Sequence, residues 1–151
     1  MTIEMINSAQ QAALVAAGVF FLVGLLTGVW KYVQMHMHQK REHYYIGIAH
    51  RASLMYAFAA LLLERFAAFS AWSEAVNFWA VVVSAVYFGL AIGTYVVHGM
   101  LKDTTNQLKA PYKLSSFSLP AILVVGFMAT LIVAEIGGFL VLFTGLLKAF
   151  F

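Results

Sequence analysis

The chain has 151 residues, of which 63% are hydrophobic and only 10% are Asp, Glu, Lys or Arg, with a formal net charge of +3. A soluble domain is roughly 45–50% apolar and about 25% charged, so this composition excludes a disordered chain and argues against a soluble one. There is no cysteine, which removes disulfides, thiolate metal ligands and cysteine nucleophiles from consideration.

Four apolar runs follow in chain order. The first covers Ala12–Val33 and is closed by Lys31 and a polar stretch, Gln34–Glu42. Its first charged residue is Glu4, with no basic segment ahead of it, so it reads as a retained span rather than a cleaved signal. The second covers Ile46–Leu63, the third Ala75–Val97, and the fourth Leu119–Leu147, broken only by Glu135. Runs of this length match membrane helices, whereas a small β-barrel would show shorter segments of alternating polarity. The fold class is therefore an all-α integral membrane protein, a single four-helix domain over residues 1–151. The Ser-rich segment Leu114–Ser118 stands just before the fourth run, where its hydroxyls are expected to cap the helix.

Charge placement orients the chain. Lys31, Lys40, Arg41, Arg51, Lys102, Lys109 and Lys113 fall on the side that carries loops 34–45 and 98–118. Arg65 and Lys148 alone fall on the other. The positive-inside rule makes the loop-rich side cytoplasmic and places both termini on the non-cytoplasmic side. The basic residues thus report topology, with membrane lipids as neighbours, and leave no case for a nucleic-acid partner.

All five histidines, His36, His38, His43, His50 and His98, gather at that same side. Neutral imidazole suits haem iron, copper or zinc. Met35-His36-Met37-His38 has donors suited to soft copper if the segment is extended, although loop histidines commonly need no ligand. His43 is either a supporting partner or simply interfacial. His50 lies inside the start of the second helix and shares a stripe with His43, Gly47, Leu54 and Leu61, where Gly47 would let a bulky planar group approach. His98 closes the third helix, at a depth comparable with His50.

The third helix carries a stripe of small and polar residues: Asn77, Ala80, Ser84, Tyr87, Ala91, Thr94, Tyr95 and His98. Such a face usually points into a bundle. Tyr87 and Tyr95 add phenols that can donate to a reacting oxygen. Glu135 is the one acid deep in an apolar run, costly at that depth unless it is protonated or paired, and Arg65 is a conceivable partner. Gly137 and Gly138 beside it allow close packing or a bend. No GxGxxG, P-loop, HExxH or CxxCH occurs, so nucleotide, zincin and c-type haem readings lack support, whereas a noncovalent b-type haem needs only axial ligands.

Tyr45-Ile46-Gly47-Ile48-Ala49-His50 and Gly93-Thr94-Tyr95, together with the Gly- and Leu-rich run from Gly18 to Trp30, resemble the membrane-embedded styrene oxide isomerase family. The resemblance covers most of the first three spans. It implies a four-helix protein of the bacterial inner membrane, a homotrimer with haem b between subunits, His50 as the axial iron ligand, and Tyr95 lining the substrate site. The implied substrate is a small apolar aryl epoxide, rearranged to an aldehyde by ferric haem acting as a Lewis acid. Two departures stand out. Tyr56 occupies the position of a family asparagine six residues after the ligand histidine, and Asp103-Thr104-Thr105-Asn106 replaces an Asn-Arg-Gly segment. Tyr56 can still donate a hydrogen bond, but it reshapes the pocket. Two other readings stay open: a b-type haem electron-transfer or haem-carrying module with His50 and His98 as paired ligands, and a copper-binding or structural membrane subunit built on His36, His38 and Glu135.

Overall fold

The computed structural model describes residues 6–38 and 42–151. Four long helices dominate it: α1 (Ser8–His38), α2 (Tyr44–Phe69), α3 (Glu74–Leu101) and α4 (Ala121–Phe150). All four are long and apolar enough to cross a membrane. A two-stranded antiparallel hairpin, β1 (Lys113–Leu114) with β2 (Phe117–Ser118), lies in the α3–α4 connection.

Contacts between distant residues define two ends. At one end Ser8 donates its backbone N–H and hydroxyl to Glu74 Oε1, Gln10 Nε2 donates to Glu64 Oε1 at 2.7 Å, and the Ala71 N–H donates to the Gly145 carbonyl. The start of α1, the end of α2, the start of α3 and the end of α4 therefore meet there. At the other end the backbone N–H of Gln107 donates to the Tyr45 hydroxyl at 2.6 Å, and Lys31 pairs with Glu42 at 3.2 Å. The result is an up-and-down bundle in which α1 packs chiefly on α2, and α3 touches each of the other three helices.

Small side chains set how closely the helices approach. Ala9, Ala13 and Ala17 recur at a four-residue spacing along α1 and are buried, as are Ala57, Ala60 and Ala67 on α2. In an apolar solvent, where burying hydrocarbon gains little, such rows bring backbones into van der Waals range and supply the packing energy. Gly138 of α4 serves the same purpose against α3, because a Cβ there would overlap the Ser84 hydroxyl and the Ala80 carbonyl. Only 11% of the most apolar window of α4 is buried. Its outer face carries Ile122, Leu123, Val125, Ile132, Val133 and Ile136 in the open, an apolar area of the kind a soluble monomer does not leave to water.

Several expectations change. α2 runs past Leu63 to Phe69, because Glu64 is buried and hydrogen-bonded by Gln10 instead of ending the helix at its charge. Met35–His38 forms the last turn of α1 and is helical, where an extended segment was expected. The Ser-rich segment does not cap α4. Its residues make the hairpin, and Pro120 occupies the N-cap with no side-chain bond to the helix, its fixed φ being suited to a helix start.

Candidate functional site

His50 sits one and a half turns into α2 and points at α1. Its Nδ1 lies 2.8 Å from the Gly24 carbonyl oxygen. A carbonyl only accepts, so Nδ1 carries the proton, and the lone pair of the neutral ring is on Nε2. Among the described residues no second hydrogen bond to this ring occurs, and the residue is half-buried. Gly28, one turn beyond Gly24, gives the ring its seat. A Cβ there would stand 2.9 Å from His50 Cε1 and 3.1 Å from Nδ1, closer than real side chains approach. Gly24 likewise yields space to Leu54, while Thr27 donates its hydroxyl to the carbonyls of Val23 and Gly24. The seat therefore requires two glycines four residues apart on α1, a spacing visible in the sequence and overlooked there as a feature of the histidine site.

The same arrangement bears on whether a haem would fit. Metal-bound histidines characteristically donate the other ring nitrogen to a carbonyl or carboxylate, which fixes tautomer and ring orientation. His50 has that arrangement before any ligand is added. The donor set is a single neutral imidazole nitrogen with no thiolate or carboxylate beside it, which suits an axial position on haem iron. Among the described residues no group of three or more His, Cys, Asp or Glu side chains gathers to hold a bare ion.

Tyr56 lies six residues beyond His50, about 120° around the helix. Its ring stacks on Phe88 of α3 with centroids 4.3 Å apart, and its hydroxyl donates to Glu135 Oε1 of α4 at 3.1 Å. This settles the partner of the one acid within the apolar run of α4. Arg65 does not reach it, since Arg65 is exposed at the other end of the bundle and lies 3.4 Å from Glu64 Oε2. Tyr95 is half-buried and stacks on Tyr45 with centroids 6.1 Å apart. One phenol and one carboxyl, from α2 and α4, thus meet inside the bundle beside Phe88 of α3. Tyr87 is apart from them, stacked on Phe127.

The remaining histidines have other surroundings. His98 Nδ1 lies 2.8 Å from Asp103 Oδ1, and both side chains are more than nine-tenths buried. Asp103 Oδ2 also accepts the Ser115 N–H at 2.6 Å. Burial pushes the Asp103 carboxyl up, but the bonds from His98 and Ser115 outweigh it and hold the group below its usual range. No hydrogen bond or ring contact joins His98 to His50 among the described residues; the ring of His98 faces Tyr45 instead. Gly47 is covered by Glu42, whose Oε1 would lie 2.9 Å from an added Cβ. His43 is partly buried, which pushes its pKa down, and its Nδ1 has no partner among the described residues. His36 is exposed and stacked on Tyr32, and the His38 side chain lies outside the described residues.

These features define a class: a four-helix protein of membrane-spanning dimensions with a tautomer-fixed histidine near one end and a phenol–carboxyl cluster in its interior. No family model, curated protein or solved structure matches the chain.

Proposed function

We propose that the chain is a multi-pass protein of the bacterial inner membrane in which His50 is the axial ligand of haem b, and that it isomerises an aryl epoxide to an aldehyde. The observation that carries this reading is the bond from His50 Nδ1–H to the Gly24 carbonyl over the bare face of Gly28. It presents an Nε2 lone pair in a fixed direction, at no cost in reorganisation when a metal arrives. The resemblance of the segments around His50 and Tyr95 to the styrene oxide isomerases supplies the reaction and the trimer.

When bound, ferric haem supplies a Lewis acid that draws electron density from the epoxide C–O bond. The rearrangement breaks the benzylic C–O bond, moves a hydride from the terminal carbon to the benzylic one, and leaves a C=O bond, with no external electron or co-reactant. The chain's own part is positional. Tyr56 commits its hydroxyl to Glu135, which leaves Tyr95 as the phenol available to donate to the oxygen as negative charge develops on it. Stacking fixes both rings, Tyr56 on Phe88 and Tyr95 on Tyr45. The apolar surroundings keep water from the cationic carbon.

The test is turnover. Purified protein reconstituted with haem in lipid is expected to convert styrene oxide to phenylacetaldehyde without a reductant, and Tyr95→Phe to lower the rate about 10²-fold, as for loss of one oxyanion donor. Haem-loaded protein that leaves styrene oxide and related aryl epoxides unchanged would refute the reaction.

A further inference from the structure

Two cavities adjoin along the α3–α4 connection, and Lys113 lines both. The first, of about 440 Å³, has Lys102, Lys109 and Lys113 in its walls, together with Asp103, Thr104 and Asn106. The second, of about 200 Å³, lies between α3, the connection and the start of α4. Its wall on the α4 side is Leu119, Leu123, Val124, Phe127 and Met128.

The first cavity is rich in donors. None of its three ammonium groups has an ion-pair partner among the described residues. Its one carboxylate is engaged elsewhere: Asp103 Oδ1 lies 2.8 Å from His98 Nδ1, and Oδ2 accepts the Ser115 N–H. The Thr104 hydroxyl oxygen accepts the Asn106 N–H at 3.0 Å, and Asn106 Oδ1 accepts the Leu108 N–H at 3.0 Å. Those bonds occupy acceptor sites and leave the Thr104 O–H and the Asn106 amide hydrogens without an acceptor among the described residues. Three cations, a hydroxyl and an amide around one space suit an anion with several oxygens. The second cavity suits hydrocarbon, since an apolar cavity of ~150 Å³ already takes benzene. A free anion would leave the apolar space unused, and a neutral chain would leave the lysines unpaired. One ligand answers both, and basic pockets beside membrane helices on the cytoplasmic side are where anionic lipid heads bind.

We propose that the adjoining cavities bind one anionic phospholipid, its phosphodiester among Lys102, Lys109, Lys113, Thr104 and Asn106 and one acyl chain along Leu123, Val124 and Phe127. The site rests on the four helices lying in a membrane, as read above, and is independent of haem and of the epoxide.

The test titrates purified full-length protein in detergent with dioleoyl phosphatidylglycerol, dioleoyl phosphatidylcholine or inorganic phosphate, and counts bound lipid by native mass spectrometry. Phosphatidylglycerol is expected to bind once per chain and about tenfold more tightly than phosphatidylcholine, whose head brings a cation to the lysines. Lys102→Gln, Lys109→Gln and Lys113→Gln are each expected to weaken it about fivefold, the worth of one lysine beside anionic lipid. Arg51→Gln removes the same charge from the same end and is expected to leave binding unchanged. Val124→Trp, which fills the apolar cavity, is expected to abolish the single tight event, and excess inorganic phosphate to leave bound lipid in place. Equal binding of the two lipids, an equal loss in Arg51→Gln, or binding that survives Val124→Trp would overturn the proposal. Displacement by inorganic phosphate would assign the site to a free anion and overturn the lipid. Release of the protein from bilayers by alkaline carbonate would overturn the membrane placement and this proposal with it, whereas the other failures leave that placement standing.

Discussion

Two histidines near the same end of the bundle are each held through Nδ1, and they are held by different chemistry. His50 donates to the neutral carbonyl of Gly24, a backbone atom of a neighbouring helix. His98 is bound to the carboxylate of Asp103, five residues on, which is itself anchored by Ser115. A carbonyl accepts from one ring nitrogen and so fixes the tautomer, whereas a carboxylate adds a charged acceptor to the same bond. The first arrangement seats the ring on α1 and leaves Nε2 without a hydrogen bond among the described residues. The second ties the end of α3 to the loop behind it. Two imidazoles that look equivalent in the sequence therefore do different work, and the partner of Nδ1 distinguishes them.

The comparison can be broken most severely at the glycine seat. Gly28→Leu places a side chain where the His50 ring lies. It is expected to weaken haem binding about 10–100-fold, the usual cost of disturbing a group that orients a metal ligand, as measured by haem titration. The same substitution should leave the His98–Asp103 pair intact.

Next in size is the interior cluster. Tyr56→Phe keeps the stack on Phe88 and removes the hydroxyl from Glu135. Leaving that half-buried carboxyl without its donor is expected to cost about 1 kcal/mol in unfolding from detergent, and Glu135→Leu in the same background should recover much of the loss. An additive double substitution would show that the two groups are not coupled.

The His98 side is sharpened by pH. Asp103 is held below the usual carboxylate range in the folded protein, so its contribution to stability is fully present above that range and is lost as pH falls through the depressed value. Asp103→Asn is expected to lower stability by about 1 kcal/mol near neutrality and by progressively less in acid. A difference between the two proteins that stays constant from neutrality into the acid range would contradict this. The smallest effect belongs to Lys102, which caps α3 in the left-handed region at φ 52° while its N–H donates to the His98 carbonyl. Lys102→Gly removes the strain of a side chain there and is expected to stabilise by roughly 0.5–1 kcal/mol, read from thermal unfolding.

What the sequence revealed follows from which features are local. Four apolar runs predict four helices, because each run's polarity is decided within itself. The stripe on α3 is confirmed in Asn77, Ala80, Ser84, Ala91 and His98, all buried, since helical period alone places them on one face. The partner of Glu135 was not legible. Tyr56 lies 79 residues away, and the register of α2 against α4 depends on how glycines and alanines mesh. The end of α2 was hidden for a similar reason, since the Gln10 side chain that satisfies the buried Glu64 belongs to α1. The His50 seat was half legible: the four-residue glycine spacing was there to be seen, but not which side chain would lie across it.

Haem titration into the purified protein, followed by absorption in the Soret region, tests the central claim most directly. Nε2 ligation by His50 predicts a stoichiometric Soret band in the wild type. His50→Ala should lose it and recover it with added imidazole, and His98→Ala should keep it. A band unchanged in His50→Ala, or lost equally in His98→Ala, would contradict the assignment of His50 as the single axial ligand.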